Sequence, residues 1–326
     1  MQKILVTGGS GFTGGHLCRR LAGSGCDVRT LVLPGQDVSS LESAGVKIIR
    51  GDLVRRETLD GAVRGVDTVF HIAAVYHEEN IPRQLFWDVN VTGTQNMLEA
   101  SRDAGVRRFV HCSTVGVQGE IEHPPATEEA PYRPGDYYQQ SKMEGERAAL
   151  EFARKGFPVV VFRPVGIYGP GDKRFLKLFR HIQSGRFRMI GSGEVLYHLT
   201  YIDDLVDGIL LTGSVPGIEG EIFTLAGGEY VTLNQLVRII AEILGAKVSR
   251  LHIPAWPVWA AGALCELVFR PLRIPPPLYR RRVDFFIKDR AFDITKARQR
   301  LGYKPAVDLR TGLSRTAEWY RQQNLL

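Results

Sequence analysis

Cysteine is scarce in this chain: Cys18, Cys26, Cys112 and Cys265 are all there are in 326 residues. They form no CxxC pair and have no histidine cluster beside them, which argues against a zinc site or a disulfide framework. No metal is expected, and the thiols suit a reducing compartment. The opening MQKILVTGG lacks a long apolar run and a small-residue cleavage site, so no secretory leader and a cytoplasmic location are expected. Internal repeats and low-complexity linkers are also missing. The net charge is +7, from 42 Lys and Arg against 35 Asp and Glu, but no nucleic-acid motif accompanies it. Nucleic acid is therefore not an expected partner.

Much of the basic excess lies late, at Arg270, Arg273, Arg280, Arg281, Arg282, Lys288, Arg290, Lys296, Arg298 and Arg300. A solvated basic surface is the first reading, with an anionic ligand or an anionic membrane surface as the sharper ones. With 44% hydrophobic and 24% charged residues, the composition is that of an ordinary globular protein. The length allows two domains, or one large α/β domain with an appended lobe.

Short apolar runs alternate with helical patterns through the first half. Strands are expected at Lys3–Thr7, Asp27–Leu33, Lys47–Arg50, Asp67–Ile72, Arg108–Cys112 and Pro158–Phe162. Helices are expected from about Gly11 to Ala22, Gln84 to Ala104 and Tyr137 to Lys155. This alternation implies a parallel sheet buried on both faces. After Arg163 glycine and proline become frequent, and helices are expected near Asp203–Leu211, Leu233–Leu244 and Thr311–Gln322. The division expected is a nucleotide-binding domain over 1–163 and mainly a substrate lobe over 164–326. A strand near Ile222–Leu225 is expected to return to the sheet. Leu251–Leu272 is apolar enough to raise the membrane question, but Pro254, Pro257 and Glu266 interrupt it and Arg270 follows. It reads first as a buried or lid helix, and second as a membrane-surface contact or the wall of a hydrophobic substrate site.

Gly8, Gly11 and Gly14 form GxxGxxG in TGGSGFTG, between the first strand and the first helix. Glycines there let backbone approach a pyrophosphate, and the helix start supplies N–H groups and partial positive charge. The second strand should end on a residue that reads the adenosine ribose. Leu33 stands there, neither acid nor base, which leans toward NAD, with Asp37 or Arg29 able to alter that. Asp52, in Gly51-Asp52-Leu53, is an acceptor for an adenine amino group or a helix N-cap, and the two are compatible.

Tyr138-Gln139-Gln140-Ser141-Lys142 is YxxxK, which on a helix puts both ends on one face. A cation beside the phenol favours its ionised form, which suits proton transfer. Tyr137 is the rival tyrosine but lies five residues from Lys142. His111-Cys112-Ser113-Thr114 closes the fifth strand, so Thr114 or Ser113 is placed to meet a substrate oxygen. His71, His111 and His198 read as packing or backbone-bonded residues, and Glu78-Glu79 as a solvated turn.

Together TGGSGFTG, GDL at 51–53, HIAA at 71–74, NVTGTQN at 90–96, HCST, YQQSK and RPVGIYGPGD at 163–172 resemble the extended short-chain dehydrogenases/reductases. YIDDLVDG at 201–208 and LGYKP at 301–305 extend the likeness over nearly the whole chain. The resemblance implies a Rossmann-type doubly wound parallel sheet with a smaller C-terminal α/β lobe. It implies Tyr138 as acid/base, Lys142 lowering its pKa and holding the ribose, and Thr114 as the hydroxyl partner, with Ser113 the fallback. Gly8, Gly11, Phe12, Thr13, Gly14, Asp52, Leu53, Ala73, Ala74, Asn90 and Pro164 are the implied cofactor-side residues. The implied cofactor is NAD, with NADP left open, and a homodimer is a family-level expectation. A small-molecule substrate is expected. Two branches compete. One resembles 3β-hydroxysteroid dehydrogenases and dihydroflavonol reductases, which exchange a hydride at a lipid-like alcohol or ketone. The other comprises nucleotide-sugar epimerases and dehydratases. These commonly carry an arginine before YIDD, where this chain has Tyr197. A regulator without turnover is a third class, against which the intact Thr114, Tyr138 and Lys142 argue.

Overall fold

In a computed structural model, residues 1–76, 81–249, 251–269, 276 and 280–326 are described. Glu78-Glu79 and the end of the 251–272 segment lie outside them. Strands β1 (Lys3–Thr7), β2 (Asp27–Val32), β3 (Lys47–Arg50), β4 (Thr68–His71), β5 (Arg108–Cys112) and β6 (Val159–Pro164) alternate with helices. Those helices are α1 (Phe12–Gly23), α2 (Ser39–Glu42), α3 (Asp60–Val63), α4 (Arg83–Trp87), α5 (Gly93–Asp103) and α6 (Tyr137–Arg154). The second half holds β7 (Gly166–Tyr168), β8 (Met189–Ile190), β9 (Leu196–Tyr201), β10 (Ile222–Leu225), β11 (Tyr230–Thr232) and β12 (His252–Ile253). It also holds α7 (Leu176–Gln183), α8 (Ile202–Ser214), α9 (Leu233–Leu244), α10 (Ala255–Phe269), α11 (Arg280–Ile287) and α12 (Leu309–Gln322).

The main sheet has seven strands in the order β10-β6-β5-β4-β1-β2-β3. Every pairing in it is parallel. Such a sheet needs cover on both faces, and β6 is accordingly buried along its whole length. One apolar core lies under α1 and α8, and a second forms around Leu5, Val69, Phe109 and Met97. The expected return of a strand is seen: β10 pairs with β6, Ile222 opposite Val161 and Leu225 opposite Pro164. Strand order reverses at β1, which lies between β2 and β4. Open parallel sheets bind ligands beyond the strand ends at such a point.

The expected single helix over 84–104 is interrupted. Asp88–Thr92 forms a π-type turn between α4 and α5. Such turns arise where packing displaces one residue, often at functional sites. The turn contains Asn90, which is buried. The smaller sheets, β11-β9-β7 and β12-β8, belong to the second half. α9 starts with a reciprocal cap: Gln235 N–H donates to Thr232 Oγ1 at 3.2 Å, and Thr232 N–H donates to Gln235 Oε1 at 2.8 Å.

Candidate active site

Gly8, at the end of β1, has φ of +77°, and a Cβ there would stand 2.8 Å from the Ala73 backbone. Gly14 is closer still, since its Cβ would meet the Gly8 carbonyl oxygen at 2.2 Å. Both positions therefore require glycine. Gly11 is the N-cap of α1 and offers no side chain, and no acid lies in the first turn. The first N–H groups of α1, from Phe12 and Thr13 onward, are left for an anion. This cradle fits a dinucleotide pyrophosphate.

The other wall follows β4. Ala73 N–H donates to Thr7 Oγ1 at 3.1 Å, and Thr7 Oγ1 lies 2.9 Å from His71 Nδ1. His71 Nε2 lies 3.0 Å from Thr94 Oγ1, which donates to the Asn90 carbonyl at 2.8 Å. Because the Thr94 hydroxyl hydrogen points to the Asn90 carbonyl, His71 Nε2–H donates to Thr94 Oγ1 and Nδ1 accepts from the Thr7 hydroxyl. Burial holds His71 neutral, its pKa lowered to about 3. His71 is thus a side-chain-bonded positioning residue for the 72–75 segment. His111 packs on it with ring centroids 5.6 Å apart. Neither nitrogen of His111 finds a partner among the described residues. His198 is backbone-bonded: Nε2 lies 2.9 Å from Gly227 O, and Phe292 N–H donates to Nδ1 at 3.4 Å.

Asn90 ties this segment to α6. Val75 N–H donates to Asn90 Oδ1 at 2.8 Å, and Asn90 Nδ2 donates to Val75 O at 3.1 Å and Ser141 Oγ at 2.9 Å. Ser141 Oγ in turn donates to Tyr138 O at 2.8 Å. Asp136 caps α6 by accepting from Gln139 N–H, fixing where the YxxxK motif begins. Tyr138 faces inward, edge-on to Tyr76 at 5.1 Å and near Phe86 at 6.5 Å. Tyr137 is exposed, under the Arg83 guanidinium at 4.0 Å. The two tyrosines are thereby separated.

Lys142 is buried and donates from Nζ to the Cys112 carbonyl at 2.6 Å. Thr114 follows two residues on, half-buried, accepting from Gly116 N–H at 3.1 Å and retaining its own hydroxyl hydrogen. Ser113 is fully buried, and its Oγ has no partner among the described residues. Burial raises the Tyr138 phenol well above its usual range, with smaller contributions from Tyr76, Cys112 and Asp136, while Arg174 opposes the rise. Burial likewise lowers the Lys142 ammonium, opposed by Cys112 and Glu146.

Arg174 and Tyr76 were not singled out from sequence. The Arg174 guanidinium lies 5.5 Å from the Phe12 ring and 5.9 Å from the Tyr76 ring, so it bridges phosphate loop and tyrosine. Asp172 holds it through Nε at 2.5 Å. No sequence signal marks it, because only the fold brings residue 174 to residue 12. A second such cation, Arg50 at the end of β3, reaches past the end of β2. Arg50 donates to Leu33 O at 3.2 Å and Gln36 O at 3.1 Å. Arg29 instead donates to Arg64 O, and Asp37 caps Ser39.

The remaining expected residues stand on other segments. Asp52 accepts from Val54 N–H with one carboxylate oxygen, at 3.0 Å. Leu53 is buried in the second core, and its carbonyl accepts from Asn96 Nδ2. Ala74 follows Ala73 beyond the end of β4, and Pro164 is buried at the end of β6. No group of three or more metal-ligating side chains exists among the described residues. Tyr197 is buried, and its hydroxyl donates to Phe285 O and accepts from Arg290 Nη1 at 2.8 Å. Arg290 also donates to Asp284 O at 3.2 Å.

Comparison with known proteins adds to this geometry. The profile of the NAD dependent epimerase/dehydratase family matches residues 4–226. A 4-hydroxy-2-methyl-3-oxo-4-farnesyl-3,4-dihydroquinoline-1-oxide ketoreductase from Stigmatella aurantiaca is 32% identical over 96% of this chain and 95% of its own. The mouse decarboxylating sterol-4-alpha-carboxylate 3-dehydrogenase is 30% identical over 97% of this chain and 90% of its own. Among solved structures, MoeE5 in complex with UDP-glucose and NAD aligns with a TM-score of 0.76 and 28% identity, over 99% of both chains.

Proposed function

The chain belongs to the NAD dependent epimerase/dehydratase family, and within it we propose an oxidoreductase acting at a secondary alcohol or ketone of a hydrophobic, sterol- or lipid-like substrate. The observation that carries this reading is Tyr197. It stands where the nucleotide-sugar branch commonly has its diphosphate arginine, and it is buried. Among the described residues the arginine beside it is Arg290, which is engaged with the Tyr197 hydroxyl and the Asp284 carbonyl. The ketoreductase and sterol dehydrogenase relatives support the same branch.

NAD is the assigned cofactor, as in the UDP-glucose-bound relative, and when bound it supplies the hydride acceptor or donor. Gly8, Gly11, Phe12, Thr13 and Gly14 hold its pyrophosphate, and Ala73 and Ala74 line the opposite wall. Asp52 keeps one carboxylate oxygen for the adenine end. Tyr138 carries the proton to or from the substrate oxygen. Thr114 orients that oxygen with its remaining hydroxyl hydrogen. Lys142 places a buried positive charge one turn along α6 from Tyr138, fixed by the Cys112 carbonyl. Residues 1–163 supply this cofactor side, and residues 164–326 supply most of the substrate side.

The second reading, a nucleotide-sugar epimerase or dehydratase using Thr114, Tyr138 and Lys142, is favoured by the structural likeness to MoeE5. A thermal-shift screen separates the two. A native-state ligand at a hundredfold excess over its Kd stabilises by ~2.7 kcal/mol. A sterol-like ketone that raises Tm in the presence of NAD, with UDP inert, is expected. Nicotinamide absorbance then reports hydride transfer. Added stabilisation by UDP beyond that from NAD overturns the first reading in favour of the second.

A further inference from the structure

The apolar segment after residue 251 is neither a core helix nor a covered lid. Trp256, Ala260, Leu264 and Leu267 recur at helical spacing and form one stripe along α10. Trp256 is 75% exposed, Leu264 62% and Leu267 72%. Leu251, Trp259 and Val268 widen the exposed apolar area. The face turned inward holds Gly262 and Glu266, and Glu266 is only 5% exposed. An ordinary surface helix buries its apolar stripe and exposes its charge. α10 does the reverse, and so large an outward apolar patch marks a contact surface.

We propose that α10 lies in the surface of an anionic lipid bilayer as an in-plane anchor. Its 15 residues extend only about 22 Å, short of a hydrocarbon core. No described helix is long and apolar enough to cross a membrane. Trp256 and Trp259 sit at the start of the helix, and tryptophan favours the boundary between headgroups and acyl chains. Charge selects the partner. Residues 251–300 carry ten basic side chains against four acidic ones, six of the chain's seven net positive charges. In sequence α10 opens this basic stretch, so a second copy would carry the same excess, whereas an anionic lipid surface is its complement. α10 is firmly joined to the lobe. It packs on α11, whose Phe285 meets Tyr197 at 4.9 Å and whose Phe286 meets Phe187 at 6.3 Å. The anchor does not rest on the dehydrogenase reading, because it follows from exposure and charge alone.

Purified full-length protein is mixed with phosphatidylcholine vesicles, with and without phosphatidylglycerol. At low salt the protein is expected to pellet with the anionic vesicles, and its tryptophan emission to shift to shorter wavelength. Raising the salt or omitting phosphatidylglycerol should weaken binding at least ~tenfold. The triple substitution Trp256→Ser, Leu264→Ser, Leu267→Ser should abolish pelleting and leave Tm and soluble activity unchanged, since all three side chains face outward. Three results overturn the proposal. One is no pelleting with anionic vesicles at low salt. Another is pelleting that survives the triple substitution. The last is a lipid-free dimer, seen by sedimentation velocity, that the substitution splits into monomers, because it assigns the patch to a second copy.

Discussion

Tyr137 and Tyr138 are neighbours in sequence, yet one lies under Arg83 in solvent and the other faces Tyr76 and Phe86. If Tyr138 is the proton carrier, Tyr138→Phe removes one hydroxyl and leaves its ring contacts in place. Turnover is expected to fall ~10²–10⁴-fold, the usual contribution of general acid–base catalysis, with the NAD Kd unchanged by calorimetry. Wild-type turnover by this variant refutes the assignment. His71 gives a stability prediction with a definite sign. Its folded pKa of about 3 lies below the unfolded value near 6.5. The unfolded chain therefore binds the extra proton between those two values. Stability is complete above about pH 6.5 and is lost as pH falls toward the folded pKa, by up to ~1.4 kcal/mol per pH unit for each such histidine. His111, also lowered by burial, acts in the same direction. Urea unfolding at pH 7 and pH 5 should show the loss, and equal midpoints would contradict it.

At the scale of elements, the strands were legible because a parallel sheet leaves apolar runs that helical patterns interrupt. β1, β3 and β5 match their expected bounds, and β10 was recognised as a returning strand. The glycine loop was legible for a local reason, since strand, tight turn and helix follow one another directly. What escaped were features made by packing. The π-type turn at Asp88–Thr92 has no sequence period of its own, and it forms where Asn90 reaches both Val75 and Ser141. Arg174, Tyr76 and Arg50 reach their places from distant segments. The outward face of α10 was hidden because apolar residues lie on its other faces too, so the pattern alone does not say which stripe faces out. Asn90→Ala tests the tie between elements. It strands the Val75 N–H and C=O, at a cost of ~1–3 kcal/mol. It should also lower turnover more than it weakens NAD binding, because Tyr76 and Tyr138 lose a shared support. Unchanged stability and turnover would show that the tie is dispensable.

Across the whole molecule, a buried ion pair joins α6 to β6 and belongs to a network that reaches β10. Arg163 donates to Glu146 from Nε at 3.0 Å and from Nη2 at 2.5 Å, and both side chains are almost wholly buried. Tyr132 donates to the same carboxylate at 2.6 Å. Arg163 Nη1 reaches Glu128 O, while the Glu128 carboxylate accepts from Thr224 N–H in β10. Removing one partner leaves an uncompensated buried charge, usually costing ~3–5 kcal/mol. Glu146→Ala is expected to destabilise on that scale in denaturant titrations. Arg163→Met paired with Glu146→Leu should cost less than either single change. Equal or larger loss in the double variant would mean that the pair contributes more than charge balance.

The pairing of β10 with β6 also has a history in time. Strand β6 leaves the ribosome well before its outer neighbour exists. At ~5–20 residues per second the delay is roughly 3–12 s. For that interval the nascent chain presents Val159–Phe162, four apolar residues with open backbone groups, as a bare edge ready to pair with another chain. Ribosome-bound chains stalled just after β6 should recruit a holdase chaperone, and those stalled after β10 has emerged should release it. Equal recruitment at both lengths would mean that the edge is shielded by something other than its native neighbour.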